Sequence, residues 1–258
     1  MGKGSRGSNN KQQHHHDTAD TMIATGSNVD ATTCNNNSNN SNEKDPDLPS
    51  IIVFDLDDCL WTPEMHELSG MPSIPVEGPL DPNNPSESPL GTIAMRVPSK
   101  RRGRWGGGGG GVDNDEMVEL YPGARLALRE LALNPKYRHV QIAVASSSLE
   151  PSYSRACIHG IEIVPDVTMK DMIRYAQIGR EGKLTSRKTS HLKLIHEESG
   201  GVPYGEMLFF DDCNWGDHVG DLNRALGVVG VRTPNGLTLE EFHRGLELYK
   251  MERRRNGD

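Results

Sequence analysis

The chain has 258 residues, a formal net charge of −8, 34% hydrophobic residues and 5% aromatic residues. The acidic charge and the absence of a sustained basic patch argue against nucleic-acid binding, and no apolar stretch is long enough to cross a bilayer. The amino terminus lacks the basic start and apolar core of a secretory signal, which favours a cytoplasmic location. The first sixteen residues carry no acid, so organellar import stays open.

Two regions are poor in large apolar side chains. Residues 1–48 consist mainly of Asn, Ser, Gln, Gly and His, and residues 71–115 repeat Pro, Ser and Gly. Such segments bury too little surface to offset the entropy of ordering. We therefore expect a disordered tail over 1–48, a flexible insertion over about 71–115 and a disordered end over 252–258. Residues 49–251 then form one domain of ordinary size.

The first predicted strand ends at a pair of acids. Residues 51–54 are apolar and branched or aromatic, and Asp55 and Asp57 follow them directly. In an open α/β sheet, ligands bind at the carboxyl ends of the strands. One acid there can hold a cation or attack, while the other moves a proton.

Strands and helices alternate in the rest of the domain. Pro122 is predicted to open a helix, residues 140–145 form a strand ending at Ser146, and Pro151 opens the next helix. Candidate strands follow at 161–164, 207–210 and 228–231, and Thr238 with Glu241 resembles a capping box. This alternation predicts a parallel sheet in a three-layer α/β/α, Rossmann-like fold.

Two further polar motifs lie in this stretch. Lys188 precedes a segment with apolar residues at helical spacing, and Asp211 and Asp212 end the strand at 207–210. Lys183 and Lys170 compete with Lys188 for its role. Residues 216–221 offer an alternative to Asp211 and Asp212 as the last acidic motif. Asp217 is then a candidate to support the site without binding the metal directly.

Four segments in this order resemble the motifs of the haloacid-dehalogenase (HAD) superfamily. Residues 54–61, 145–148, 188–192 and 209–213 are similar to the texts Phe-Asp-Leu-Asp-x-Thr-Leu-Trp, Ala-Ser-Arg-Thr, Lys-x-x-His-Phe and Phe-Phe-Asp-Asp-Glu. These texts belong to the magnesium-dependent, acid phosphatase-like branch. The resemblance covers roughly residues 48–249 outside the insertion, and it implies a HAD core with a minimal cap or none.

The resemblance also assigns roles by position. It implies that Asp55 is the nucleophile and that Asp57 protonates the leaving group and then activates water. Dehalogenases of the superfamily lack the second acid, so phosphate chemistry is favoured. Ser146, or its neighbours Ser147 and Ser148, would bind the phosphate, and Lys188 would balance the charge of the acids and the phosphoryl group.

A magnesium site is implied by the same resemblance. Mg²⁺ would be held by Asp55, the backbone carbonyl of Asp57, and Asp211 or Asp212, since hard cations take oxygen ligands. Trp61 and Trp215 are left open between lining a substrate entrance and packing.

Three residues depart from the family texts. Cys59 replaces Thr, Ser147 replaces a cationic Arg, and Cys213 replaces Glu. Cys59 and Cys213 are expected near the carboxylates as free thiols rather than as a redox pair. None of the departures removes a required acid.

The expected function is therefore a Mg²⁺-dependent phosphomonoesterase that forms an aspartyl-phosphate. Its partner would be a phosphoprotein, including phosphotyrosine, or a sugar phosphate or other phosphorylated small molecule, and the oligomeric state is not indicated. The alternative is a catalytically weakened HAD-fold protein that binds phosphate or regulates. A phosphotransfer receiver domain has its acidic pair after the first strand and its phosphorylated Asp after a later strand. The Asp-x-Asp spacing at Asp55 and Asp57 and the late pair Asp211 and Asp212 argue against it.

Overall fold

The computed structural model describes residues 45–99, 116–255 and 257. Residues 1–44 of the tail predicted over 1–48, and residues 100–115 of the predicted insertion, lie outside these ranges. Within them, no helix is both long and apolar enough to span a membrane.

The described residues contain eleven strands and six α-helices. In chain order the strands are β1 (Ile51–Phe54), β2 (Trp61–Thr62), β3 (Ile74–Pro79), β4 (Leu90–Arg96), β5 (Met117–Leu120), β6 (Gln141–Ser146), β7 (Glu162–Val164), β8 (Val167–Thr168), β9 (Ile173–Ile178), β10 (Met207–Asp211) and β11 (Val229–Arg232). The helices are α1 (Pro122–Leu133), α2 (Pro151–Gly160), α3 (Met169–Met172), α4 (Lys188–Glu198), α5 (His218–Leu226) and α6 (Leu239–Arg255).

The central sheet has five parallel strands in the order β11-β10-β1-β6-β9. Alternate side chains of β1 enter two separate cores, because successive strand residues point to opposite faces. Ile52 and Phe54 pack in the core that includes residues of α1, α2 and α6, whereas Ile51 and Val53 pack with residues of α4 and α5. The predicted three-layer α/β/α fold is confirmed.

One edge of this sheet differs from the prediction. The apolar segment expected as its third strand is β7, which pairs antiparallel with β8 in a separate two-stranded sheet. The edge position belongs to β9, whose inward residues include Ile173 and Ile178. Because β9 carries Arg, Tyr and Gln between its apolar positions, its sequence does not stand out as a buried strand.

The predicted flexible insertion is ordered over its first part. β3 and β4 pair with each other, and β4 continues through β5 to β2 in a four-stranded antiparallel sheet. The buried guanidinium of Arg125 ties this sheet to the core by donating to the backbone oxygens of Ile93 (2.7 Å) and Glu162 (2.9 Å). The adjacent residues Ala94 and Met95 are the buried part of β4, and this short apolar stretch does not stand out within a segment rich in Pro and Gly.

Residues 45–48 and 252–255 were assigned to disordered ends by the sequence, and the structure describes both stretches. Asp47 lies 3.0 Å from Lys250 and from Arg254, which fastens the segment before β1 to the last helix. The helix continues to Arg255. It begins after the predicted capping box, in which Thr238 and Glu241 exchange hydrogen bonds of 3.0–3.1 Å.

Candidate active site

The register of the parallel strands brings the predicted polar residues together. Phe54 at the end of β1 lies beside Phe210 on one side and Val144 on the other, so all three strands end at the same level. Asp55 follows Phe54, and its backbone N–H donates to the carbonyl oxygen of Phe210 (2.9 Å). Parallel strands that end together present their following residues at one sheet edge.

Asp55, Asp211 and Asp212 form a buried carboxylate cluster. One oxygen of each lies within 4.8 Å of the others, which is close enough to share a cation. Lys188, the first residue of α4, places its Nζ 2.6 Å from Oδ1 of Asp55 and 3.3 Å from Oδ2 of Asp211. The same ammonium donates to the carbonyl oxygen of Ala145 (2.8 Å). Lys188 therefore pairs directly with two of the three acids, Asp55 and Asp211.

The surroundings of the cluster shift the pKa values of Asp55 and Asp211 in opposite directions. Burial raises the pKa of Asp55 well above its usual value, and the nearby Asp211 and Asp212 add to this effect against the attraction of Lys188. Burial also works against ionisation of Asp211, but Lys188 and a hydrogen bond from His218 outweigh it and lower that pKa. A second positive charge is needed before all three acids ionise together.

Asp57 lies in the same pocket but outside the cluster. Burial raises the pKa of its carboxyl, and the hydrogen bond from the Trp61 indole to Oδ1 (2.8 Å) partly opposes that rise. A carboxyl whose pKa is raised retains a proton more readily, as a general acid requires. Trp61 is fully buried, so packing and this hydrogen bond describe its role.

A pocket of about 250 Å³ opens over Asp55 and Asp57. Its lining includes the hydroxyl residues Ser146, Ser147 and Ser148, which follow or end β6. The Ser146 Oγ accepts a hydrogen bond from the backbone of Ser148 (3.3 Å), and its own O–H remains a donor for a bound oxyanion. All three candidate phosphate-binding serines thus reach the site.

Lys183 and Asp217, the alternatives to Lys188 and to the acidic pair, do not line the catalytic pocket. Lys183 is exposed and pairs with Glu197 at 3.4 Å. Asp217 caps α5 by accepting from the backbone of Gly220 (3.1 Å) and pairs with Arg232 (2.7 Å), so it is a helix cap rather than a partner of the acidic cluster.

Several pocket residues were missed by sequence reasoning. His218 contacts Oδ1 of Asp211 at 2.9 Å, and its only signal was its place in the alternative motif at residues 216–221. Glu64 accepts from the Trp215 indole (2.8 Å) and contacts His66 (3.0 Å), which joins the loops after β2 and β10 at the pocket rim. Such contacts between distant loops leave no local pattern in the sequence.

The two cysteines near the site are free thiols. Burial raises the pKa of Cys59 well above its usual value and that of Cys213 to about 11, so both stay protonated near neutral pH. Cys59 receives a hydrogen bond from Thr233 (3.4 Å), and the backbone N–H of Cys213 donates to Asp211 (2.8 Å).

The acid phosphatase family model matches residues 106–252, which is more than half of the chain. The chain belongs to the acid phosphatase family. This acid phosphatase is also 25% identical over 171 residues to a "HAD-like hydrolase superfamily protein" of Schizosaccharomyces pombe, a match that covers 66% of this chain and 78% of that protein. The predicted HAD superfamily membership and the predicted phosphatase class are confirmed.

One solved structure is also similar to this acid phosphatase. It is the N-terminal part of a Bacteroides fragilis protein, described as containing a phosphatase domain and complexed with Mg. The identity is 15% and the TM-score 0.44, and the match covers 79% of this chain but only 40% of the solved one.

Proposed function

We propose that this acid phosphatase is a Mg²⁺-dependent phosphomonoesterase that is phosphorylated on Asp55 during turnover. The observation that carries the proposal is the placement of Asp55 beside Asp211, Asp212 and Lys188 at the floor of an open pocket.

The donor set fits a hard divalent cation. The buried oxygens Asp55 Oδ1 and Asp211 Oδ2 both face the Lys188 ammonium, at 2.6 and 3.3 Å. Three acids against one lysine leave excess negative charge, which a cation that prefers oxygen ligands, such as Mg²⁺, would offset. We propose Asp55, Asp211, Asp212 and the backbone carbonyl of Asp57 as its ligands. Bound there, Mg²⁺ would neutralise charge on the phosphoryl group.

The first chemical step transfers the phosphoryl group to the protein. A carboxylate oxygen of Asp55 attacks phosphorus, and the bond from phosphorus to the ester oxygen breaks. Asp57 gives its proton to that oxygen, so the alcohol leaves neutral. The Ser146 hydroxyl donates to a phosphoryl oxygen, and Lys188 holds Asp55 in place.

The second step releases phosphate. Asp57, now ionised, takes a proton from a water molecule, and the oxygen of that water attacks phosphorus. The bond from phosphorus to Asp55 breaks, which returns both carboxyls to their starting states. Proton transfer by a positioned group of this kind contributes roughly 10²–10⁴-fold.

The proposed substrates are a phosphoprotein side chain, including phosphotyrosine, or a sugar phosphate. The pocket opens to solvent between the rim residues Glu64, His66 and Trp215, so it does not enclose the leaving group. We keep the cytoplasm as the proposed location.

The test is hydrolysis of 4-nitrophenyl phosphate with Mg²⁺ and with a chelator in its place. We expect turnover only with Mg²⁺, and none from Asp55→Asn. Asp58→Asn is the matched control, because Asp58 is the adjacent acid, is not among the pocket-lining residues, and has a positive φ of 56° that Asn tolerates. Phosphate binding or beryllium-fluoride trapping without turnover would instead support the non-catalytic alternative.

A further inference from the structure

A second groove adjoins the catalytic pocket. Its volume is about 760 Å³, and the two cavities share Ser147, Arg180, Trp215 and His218 as lining residues. A substrate whose phosphate lies over Asp55 can therefore extend into this groove without crossing a wall of the protein.

The groove and the pocket differ in charge. The catalytic pocket is lined by four acids, Asp55, Asp57, Glu64 and Asp212. The groove is lined by one acid, Asp221, and by four permanent cations, Arg180, Arg187, Lys188 and Arg224. An anionic group is accordingly more favourable in the groove than beside the acids.

Two of the four cations are already neutralised. Lys188 is shared by Asp55 and Asp211. Arg224 pairs with Asp221 at 2.6 Å and with Asp217 at 3.3 Å. The charge of Asp221, the acid that lines the groove, is therefore offset by Arg224 as well.

The remaining two, Arg180 and Arg187, contact no carboxylate among the described residues and are exposed. Arg180 is held in place, because its Nε donates to the carbonyl oxygen of Ser147 (2.8 Å). Its two terminal nitrogens stay available, and a guanidinium binds carboxylate or phosphate through paired N–H donors.

We propose that Arg180 and Arg187 form a second anion-binding subsite for the leaving-group portion of the substrate. The preferred substrate class is a phosphomonoester that carries another anionic group, a carboxylate or a second phosphate, beyond the scissile phosphate. This inference rests on the proposed function, since it takes the scissile phosphate to lie at Asp55.

The test compares the binding of benzylphosphonate with that of its 3- and 4-carboxy derivatives by calorimetry, at low and high salt. These analogues are not hydrolysed, so the measurement does not depend on turnover. We expect a carboxy derivative to bind roughly two- to fivefold more tightly at low salt, since exposed charge pairs contribute modestly, and the gain to shrink at high salt.

The variant that removes the subsite is Arg180→Ala combined with Arg187→Ala, for which we expect the gain to disappear. Arg180→Lys should keep part of it, because the charge remains without the paired donors. The matched control is Arg174→Ala, an exposed arginine at the start of β9 that lines neither cavity; it should keep the full gain.

Equal binding of all analogues to the wild type, absence of binding by any of them, or a gain that survives in the double variant would overturn the subsite. Hydrolysis of 4-nitrophenyl phosphate by the same preparation separates the two proposals. Turnover without carboxylate discrimination overturns the subsite alone, whereas discrimination without turnover supports the subsite and overturns the proposed hydrolysis.

Discussion

Replacing Lys188 by Met tests whether this lysine holds the acidic cluster together. The ammonium is buried and has three partners, at 2.6 Å from Asp55, 3.3 Å from Asp211 and 2.8 Å from the Ala145 carbonyl oxygen. Met fills a similar volume, so the loss is mainly electrostatic. Breaking a buried ion pair by removing one partner costs about 3–5 kcal/mol, and we expect a loss of unfolding free energy in that range.

The loss should depend on pH in a defined direction. Without the lysine, the pKa of Asp55 rises further above the unfolded value for Asp, which is about 3.9, and the pKa of Asp211 rises from its lowered value. The folded variant then binds protons more tightly than the unfolded chain, so its stability falls as pH rises above that value. The difference from the wild type should be larger at about pH 7.5 than at about pH 5.

The assay is urea unfolding with a chelator present, so that bound metal does not mask the lost charge. Lys183→Met is the matched control. Lys183 is exposed and lies 3.4 Å from Glu197, so its removal should cost less than about 1 kcal/mol. A Lys188→Met variant as stable as this control at both pH values would refute the assignment of Lys188 as the counter-charge of the cluster.

Three other substitutions test the remaining parts of the site. Asp57→Asn should reduce hydrolysis of an alkyl phosphate by roughly 10²–10⁴-fold but affect 4-nitrophenyl phosphate less, because nitrophenolate leaves without a proton; equal losses on both substrates would exclude Asp57 as the acid. Trp61→Phe removes the 2.8 Å hydrogen bond that lowers the pKa of Asp57, so the Asp57-dependent limb of the pH–rate profile should move to higher pH. His218→Ala removes the 2.9 Å contact with Asp211, and we expect the Mg²⁺ affinity measured by calorimetry to fall about 10–100-fold. An unchanged affinity would show that His218 does not support Asp211 as a metal ligand.

Much of the site was predictable because its residues follow apolar strands. The runs before Asp55, Ser146 and Asp211 are short, strongly apolar and buried in the sheet, and parallel strands of similar length end at one edge. The helix that carries Lys188 was equally visible from its apolar periodicity, with His191, Leu192 and Ile195 buried.

The misses have physical reasons as well. β9 is an edge strand with polar residues between its apolar ones, so its pattern is weaker than that of β7, which was chosen in its place. In the insertion, β4 packs against α2 and β7, which lie far along the chain, and β3 pairs with β4. Their Pro and Gly content suggested disorder because the partner surface could not be read locally.

The amino-acid sequence alone determined the α/β alternation, the order of the acidic motifs and the phosphatase class, because each depends on residues close together in the chain. Only the tertiary structure decided that Asp57 stands apart from the three-acid cluster and that Arg180 and Arg187 lie beside the pocket with no carboxylate partner in the described part of the chain. Which charges neutralise one another depends on distances and burial between separate loops, and these quantities exist only once the chain has folded.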